Sequence, residues 1–277
     1  MPLTPTGEIV DAAARAGRGV GAFNVIQLEH AEALVAGAER AGAPVILQIS
    51  HNCVRYHGAL EPIGLATLAV ARRSSVPVAV HLDHAEDAGL AHEAVELGFT
   101  SVMFDASKLE YGENVRATTE VVVHCHSRGV YVEAELGEVG GKDGVHAPGA
   151  RTDPERARSF VAATGVDALA VAVGSSHAMV TKNAALDFDL IGRLREAVPV
   201  PLVLHGSSGV PEADLTRAVA AGMTKVNIAT SLNQAFTGAV RGYLDQYPDV
   251  VDTRKYVAPG RKAVADEVAR LLGVLRA

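Results

Sequence analysis

The 277-residue sequence predicts an α/β fold, a (β/α)8 TIM barrel with an extra helix before it and a helical tail after it. Three observations predict this class. Short apolar runs alternate with longer Ala-, Leu- and Val-rich stretches of helical periodicity, eight such runs occur, and several helical stretches end in glycine. Strands that alternate with helices form parallel βαβ units, and eight units close most naturally into a barrel.

The elements follow in chain order. The first is an amphipathic helix at 7–17, and the last is the helical tail at 259–275. Between them the eight strands are expected at 19–25, 44–50, 77–83, 101–107, 131–137, 168–175, 201–207 and 225–230. Near-continuous apolar strands are typical of a sheet that helices cover. No linker interrupts the pattern, so we expect a single barrel domain over 1–277.

A doubly wound open sheet is the structural alternative to the barrel. In its dinucleotide-binding version, a G-x-G-x-x-G motif follows a strand and opens a helix. The sequence contains no such motif in that position. The dinucleotide-binding version is therefore unsupported.

Composition narrows the classes of function. The net charge is −7, from 25 basic and 32 acidic side chains, and aromatic residues make up only 4%. Nucleic-acid and anionic membrane surfaces need clustered cations, so neither partner is expected, whereas a few backbone N–H groups can still hold a small anion. The start lacks the order of a secretory signal, and the two cysteines, Cys53 and Cys125, allow no disulfide framework. A cytoplasmic location is expected.

Polar residues recur at the carboxyl ends of the predicted strands, where barrels of this class carry their chemistry. They are Asn24, Gln48, Ser50, His81, Asp83, His84, Asp105, Ser107, Glu133, Glu135, Ser175, Ser176, His177, His205, Ser207, Ser208, Asn227 and Thr230. A polar group in an apolar strand is costly to bury without partners. We therefore expect these groups to meet one another and a ligand.

Three of these strand ends carry a histidine: His84, His177 and His205. One buried histidine is usually structural, but three at one barrel mouth indicate a metal site. Three His ligands with an open fourth position are typical of catalytic zinc, and imidazole also suits other divalent metals such as Co²⁺. Glu135 is either an alternate ligand or a supporting partner. Asp83 either organises the ligands or performs acid–base work on a hydroxyl of a metal-bound substrate.

Two Gly/Ser-rich segments follow the last two strands, HGSSG at 205–209 and NIATS at 227–231. Barrels often place a phosphate site there, built from backbone N–H groups, hydroxyls and a helix N-terminus. The sequence therefore predicts an anion site beside the metal.

In combination these motifs resemble the class II, zinc-dependent ketose-bisphosphate aldolases, the family of the fructose-1,6- and tagatose-1,6-bisphosphate enzymes. The resemblance covers nearly the whole chain. It rests on AFN (22–24), HLDH (81–84), VEAELGEVGG (132–141), VGSSH (173–177), LVLHGSSG (202–209), KVNIAT (225–230) and DTRKY (252–256).

The resemblance implies reversible cleavage of a ketose (bis)phosphate to dihydroxyacetone phosphate and an aldehyde such as glyceraldehyde 3-phosphate. It implies Zn²⁺ on His84, His177 and His205 with Glu135 nearby, and Asp83 as the shuttle for the C4 hydroxyl proton. The substrate-binding positions that it implies, together with neighbours in the same two segments, are Asn24, Gln48, Ser50, Gly206, Ser207, Ser208, Asn227, Ala229, Thr230 and Arg254. Arg254 would reach a phosphate from a neighbouring subunit, so a homodimer or homotetramer is expected, and a bound Na⁺ or K⁺ is often part of the family's phosphate site.

Three departures from the family pattern bear on this reading. Ala178 stands where the family usually has Gly, and Asp143 stands in the loop where relatives carry a Glu that protonates the enediolate carbon. Ala229 replaces an acidic or amide residue of many fructose-bisphosphate enzymes, and NIAT is more similar to tagatose-bisphosphate relatives. A related phosphorylated ketose, a metal-dependent hydrolase and a non-catalytic sugar-phosphate sensor remain as alternatives.

Overall fold

Eight parallel strands form a closed barrel in which each strand pairs with its neighbours in chain order and β1 pairs with β8. This computed structural model describes residues 2–136, 151–176, 179 and 181–276. The predicted (β/α)8 TIM-barrel class is confirmed. The strands are β1 Val20–Asn24, β2 Val45–Ser50, β3 Val78–Ala85, β4 Ser101–Phe104, β5 Tyr131–Leu136, β6 Ala168–Val171, β7 Leu202–Leu204 and β8 Met223–Ile228.

Helices surround the barrel and cover its outer face. Among the described residues they are α1 Thr6–Ala16, α2 Leu28–Ala41, α3 His51–His57, α4 Glu61–Ala71, α5 Ala88–Leu97, α6 Tyr111–His126, α7 Pro154–Thr164, α8 Phe188–Ala197, α9 Glu212–Ala221, α10 Thr230–Gln246 and α11 Thr253–Leu275. The helix predicted at 7–17 is α1, and the tail predicted at 259–275 is the greater part of α11. The tail begins earlier than predicted because Asp252 caps it by accepting the Arg254 backbone N–H, and Pro259 lies inside it.

Three of the strands predicted from apolar runs extend at least three residues beyond the real ones on the carboxyl side, whereas β3 extends two residues beyond its predicted end. β4, β6 and β7 end at Phe104, Val171 and Leu204. The polar residues that the prediction placed in these strands therefore lie in the segments beyond, where they are free to turn toward the barrel axis. At its amino end β8 begins at Met223, so Lys225 is the third residue of a buried strand rather than the first.

Side chains alternate between the barrel interior and the helical layer, as a period of two requires. On β3, Val78, Val80 and Leu82 pack in the main hydrophobic cluster with the helices, whereas Ala79 packs inside the barrel. His81 and Asp83 continue the inward series. The same alternation places Glu133 and Glu135 of β5 inside.

The amino end of the barrel is closed by α1. Its Ile9 and Val10 pack with the inward residues Val20 and Ala22 in a small apolar cluster. Thr6 at the start of the helix donates a hydrogen bond to Ser101 over 2.7 Å between their hydroxyl oxygens. The carboxyl end is therefore the end that can admit a ligand.

Within the described portion of the chain, no helix is both long and apolar enough to pass through a membrane. Cys53 and Cys125 are buried free thiols. Burial raises the pKa of each thiol to about 11, so neither cysteine is an activated nucleophile.

Candidate active site

A cavity of about 320 Å³ opens at the carboxyl end of the barrel. Its wall is built from strand ends and from the segments that follow them. The lining residues are Asn24, Gln48, Ser50, His51, Asn52, Arg55, Asp83, His84, Glu86, Lys108, Ser176, Gly206, Ser207, Ser208, Asn227, Ala229 and Thr230. Eleven of these are residues that the sequence proposed as catalytic, metal-binding or substrate-binding.

Asp83 and His84 are consecutive residues of β3, yet both line the cavity. Regular alternation would aim one of them outward. His84 instead has φ of 52°, which makes it the only described non-glycine residue with positive φ, and the β3–β4 register shifts between Leu82 and Ala85. This left-handed backbone is strained for a residue with a Cβ, and such strain is concentrated at functional sites. The break in the strand turns both side chains toward one cavity.

Two overlapping groups of side chains could hold a metal ion. Asp83, His84 and His205 form one group, and His84, Asp105 and Glu135 form the other, with ligand atoms within 4.8 Å of one another in each. One Glu135 carboxylate oxygen lies 3.7 Å from Nδ1 of both His84 and His205. The described donors therefore converge on one place. His177, the third predicted ligand, lies outside the described residues.

Asp105 holds the ring of His84 through the same nitrogen that faces Glu135. Its Oδ2 lies 2.7 Å from Nδ1 of His84, and its Oδ1 accepts a hydrogen bond from the Ser107 hydroxyl over 2.6 Å. A carboxylate that contacts a ligand histidine fixes the orientation of the ring. The sequence placed Asp105 among the strand-end polar residues but gave it no role. Its position directly after β4 was the available signal.

The two carboxylate oxygens of Asp83 are held by two amides. Gln48 Nε2 lies 3.4 Å from Oδ2, and Asn227 Nδ2 lies 3.3 Å from Oδ1. Gln48 also donates to Asn24 Oδ1 over 2.7 Å, while its own buried carbonyl oxygen has no hydrogen-bond partner among the described residues. A buried acceptor of this kind calls for a donor such as a substrate hydroxyl or a water molecule.

The opposite wall of the cavity contains the segments that the sequence predicts as an anion site. Gly206 has φ of 67° and leads into a 3₁₀ turn over Ser207–Gly209. Beside this turn α10 begins at Thr230. There the Ser208 hydroxyl oxygen accepts a hydrogen bond from the Ser231 backbone N–H over 3.3 Å. The positive end of a helix dipole and the hydroxyls around it favour a phosphate. Ala229, the N-cap of α10, adds no polar side chain.

Two cationic side chains on the β2–β4 side of the rim were not predicted from the sequence. Arg55 on α3 and Lys108 after β4 line the cavity, and both contact Glu86, at 3.3 Å each. Arg55 does not follow a strand directly, because it lies one turn into α3, a helix that the apolar pattern does not predict. These three side chains carry one net positive charge at the mouth.

The barrel interior below the cavity is also polar. His81 Nδ1 lies 2.8 Å from the Ser101 hydroxyl. Burial, and then the charge of Lys225, lower the pKa of His81 well below its ordinary value, so the ring is neutral. Lys225 and Glu133 form an ion pair there.

The remaining predicted residues lie away from this cavity. Arg254 has a side chain that is 89% exposed and forms an ion pair with Asp252 of its own chain at 2.9 Å. It does not line the cavity, so its proposed action from a neighbouring subunit stays a prediction. Asp143 and Ala178 lie outside the described residues, and the roles predicted for them stay predictions as well.

A sequence model of the family described as class-II fructose-bisphosphate aldolase matches residues 4–277. The chain belongs to this family. It is therefore a ketose-bisphosphate aldolase, a carbon–carbon lyase, and the sequence alternatives of a hydrolase and a non-catalytic sensor are set aside. Class II aldolases generally depend on a divalent metal, in agreement with the two donor groups at the cavity.

Individual relatives of this class II aldolase agree with the family match. The chain is 40% identical to a fructose-bisphosphate aldolase from Geobacillus stearothermophilus over 280 residues, which cover 100% of this chain and 96% of the relative. It is 33% identical to the YdjI aldolase from Escherichia coli K12, with a TM-score of 0.85 and coverage of 99% and 97%. A fructose-bisphosphate aldolase from Campylobacter jejuni shares the fold, at 22% identity, a TM-score of 0.81 and coverage of 97% and 93%.

Proposed function

We propose that this enzyme is a zinc-dependent aldolase that reversibly cleaves a ketose 1,6-bisphosphate to dihydroxyacetone phosphate and glyceraldehyde 3-phosphate. The observation that carries the proposal is the placement of Asp83 within 4.8 Å of the donor atoms of His84 and His205, in one cavity with an anion-binding wall. Fructose 1,6-bisphosphate and tagatose 1,6-bisphosphate are the two candidate substrates.

The residues present fit a divalent cation. His84 and His205 supply imidazole nitrogens, Asp83, Asp105 and Glu135 supply carboxylate oxygens, and this mixture is what zinc accepts in catalytic sites. His84 and His205 would hold the ion together with His177, and Glu135 would serve as an alternate ligand. When bound, the cation supplies Lewis-acid stabilisation of the negative charge that develops at the substrate carbonyl. Co²⁺ is expected to support activity when it is supplied in place of Zn²⁺.

The chain's own groups would perform the remaining tasks. The turn at Ser207–Gly209 and the start of α10 would hold the phosphate of the dihydroxyacetone half, and a Na⁺ or K⁺ ion there remains a prediction. Asp83 would accept the C4 hydroxyl proton on cleavage and return it on synthesis. Gln48 and Asn227 each hold one oxygen of Asp83, which leaves further lone pairs for a substrate hydroxyl.

The other end of the substrate would lie against the β2–β4 side of the rim. Ser50, Arg55 and Lys108 line the cavity there. Surface ion pairs such as those with Glu86 contribute little stability, so a phosphate could replace them at small cost. This side of the cavity favours a substrate with a second phosphate.

Two further parts of the proposal rest on the sequence. Asp143 is proposed as the acid that protonates the enediolate carbon. We also propose a homodimer or homotetramer in the cytoplasm, in which Arg254 of one subunit reaches the substrate of another. Its exposed position on the outside of its own chain makes such a contact sterically feasible.

The test of the function is an assay of dihydroxyacetone phosphate release, coupled to its enzymatic reduction, from fructose 1,6-bisphosphate, tagatose 1,6-bisphosphate and fructose 1-phosphate. We expect cleavage of a bisphosphate, loss of cleavage after chelation, and recovery with Zn²⁺ or Co²⁺. Turnover that persists in the fully chelated enzyme would contradict metal dependence. The bisphosphate that is cleaved faster identifies the C4 configuration of the preferred substrate.

Replacing Asp83 tests its role separately. Asp83→Ala should lower kcat by about 10²- to 10⁴-fold while the variant still binds dihydroxyacetone phosphate, because only the proton acceptor is lost. Asp245→Ala is the matched control, since Asp245 is an exposed carboxylate on α10 away from the cavity. Near-normal turnover of Asp83→Ala would exclude Asp83 as the proton shuttle.

A further inference from the structure

An ion pair lies in the barrel interior beneath the cavity. Lys225 Nζ of β8 and Glu133 Oε2 of β5 are 2.8 Å apart, and both side chains are only 1% exposed. Neither residue lines the cavity. Burial of two charges is expensive, and a buried pair is often no more stabilising than apolar residues of the same size. The buried pair therefore calls for a reason other than stability.

Glu133 connects the pair to the metal site. Its second oxygen, Oε1, lies 3.1 Å from Nε2 of His205, which is fully buried. The other ring nitrogen, Nδ1, lies on the side of Glu135, 3.7 Å from its carboxylate. A carboxylate behind a ligand imidazole fixes its tautomer and orientation and raises its basicity. With Nε2 held by Glu133, Nδ1 of His205 is the nitrogen that would bind the metal.

Lys225 connects the same pair to the acid–base carboxylate. Its ammonium group donates to Asn227 Oδ1 over 2.9 Å. Since lysine can only donate, the Asn227 oxygen must face Lys225 and the amide nitrogen must face away. That nitrogen lies 3.3 Å from Oδ1 of Asp83. Lys225 thus sets the orientation of Asn227, which holds one of the two carboxylate oxygens of Asp83.

We propose that Glu133 and Lys225 form one positioning unit that orients a metal ligand at one end and the proton-transferring carboxylate at the other. This inference rests on the proposed function, because it assigns work to residues that touch neither substrate nor metal. Glu133 acts through His205, and Lys225 acts through Asn227. The pair is placed in the interior because both of its targets are reached from below the cavity.

The decisive variant is the double substitution Glu133→Gln with Lys225→Met, which removes both charges together. The metal-free double variant should melt close to the wild-type temperature, since neutralising a whole buried pair is often tolerated. Its Zn²⁺ affinity, measured by competition with a fluorescent chelator, should fall by about 10- to 100-fold. In the zinc-saturated enzyme kcat should fall more than KM rises.

Tyr131→Phe is the matched control. Tyr131 lies two residues before Glu133 on the same strand, and its hydroxyl donates to the Asp167 carbonyl over 3.0 Å. This variant also removes a polar group from the barrel, but at the end away from the cavity. We expect its Zn²⁺ affinity and its kcat to equal those of the wild type.

A double variant that binds Zn²⁺ and turns over like the wild type would show that the pair is only structural. If the double variant fails to fold, Glu133→Asp takes its place, because it keeps the charge and withdraws the carboxylate from His205. Reduced Zn²⁺ affinity in folded Glu133→Asp supports the proposal, and unchanged affinity refutes it. Wild-type protein that binds no Zn²⁺ and cleaves no ketose phosphate would instead refute the proposed function.

Discussion

His84 shows at the scale of one residue how a regular strand becomes an active site. Inward residues of a strand are separated by two, so consecutive residues cannot share a cavity unless the backbone breaks. The positive φ of His84 supplies that break beside Asp83. The residues that surround it, Asp105 and Glu135, are carboxylates that hold the histidine in place. The local strain is therefore offset by contacts with the segment after β4 and with β5.

Arg55 offers a test of substrate length at this scale. Arg55→Met keeps most of the apolar stem and removes the guanidinium from the rim. We expect a KM for the bisphosphate about 10-fold higher, equivalent to about 1.4 kcal/mol, because a charge-assisted contact to the second phosphate is lost. The KM for fructose 1-phosphate should not change. Equal effects on both substrates would argue against a phosphate at Arg55.

Gly206 offers a second test at the residue scale. It has φ of 67°, and a Cβ there would lie 2.5 Å from the Ser176 carbonyl oxygen. Gly206→Ala should therefore cost about 1–2 kcal/mol for the left-handed backbone, with a further cost from the clash, and should raise KM as the phosphate turn shifts. Gly192→Ala on α8 is the control, because nothing lies within 4 Å of its Cβ. Chemical denaturation and steady-state kinetics measure both effects, and a Gly206→Ala enzyme with wild-type stability and KM would contradict them.

At the scale of elements, helix packing determines how closely the tail approaches the barrel. α11 lies against α2 and α10, and small residues allow these contacts. A Cβ on Gly37 of α2 would lie 2.7 Å from the Ala265 carbonyl oxygen, and one on Gly260 of α11 would lie 2.8 Å from the Phe236 ring. The helical tail is thus an integral layer of the fold rather than an appendage.

Gly37→Ala tests this layer. Alanine is the better helix former by about 1 kcal/mol, yet we expect a net loss of about 1–3 kcal/mol because the added methyl group pushes α11 away. Gly238→Ala on α10 is the matched control, since nothing lies within 4 Å of that position, and it should be neutral or stabilising. Denaturant unfolding measures both. Since α2 and α11 do not line the cavity, kcat of folded Gly37→Ala should stay unchanged, and a stabilised Gly37→Ala would contradict the close approach.

At the scale of the whole molecule, the core and the site are separate sources of stability. One hydrophobic cluster joins the outer faces of the strands to the helices and includes Phe23, Leu47, Phe160 and Leu204. The metal donors lie inside the barrel at its carboxyl end and contribute nothing to that cluster. We therefore expect the fold to form without the metal.

Metal removal tests this separation. Chelated protein should keep its far-UV circular dichroism, because the core is intact. Zn²⁺ at about 100 times its Kd should stabilise the native state by about 2.7 kcal/mol and raise Tm by several degrees. The variant His205→Ala should lose most of this rise. Unfolding of the wild type by chelator alone would contradict the prediction.

Much of the molecule could be predicted from local pattern. The period of apolar runs indicated eight strands, and the polar residues at their ends indicated the cavity that Asp83, His84 and Asn227 line. These predictions succeed because parallel strands share one carboxyl edge, so order along the chain implies proximity in space. The family resemblance added the reaction, and the sequence match over 4–277 confirmed the family.

The tertiary structure alone decided what lies below and around that edge. Lys225 reads as a strand start in sequence, but the register of β8 against β1 and β7 buries it beside Glu133. Arg55 and Lys108 meet over Glu86 although they are 53 residues apart in the chain. Periodicity along the sequence predicts whether a side chain points into or out of the barrel. Only the closed barrel shows which side chains lie opposite each other across its axis.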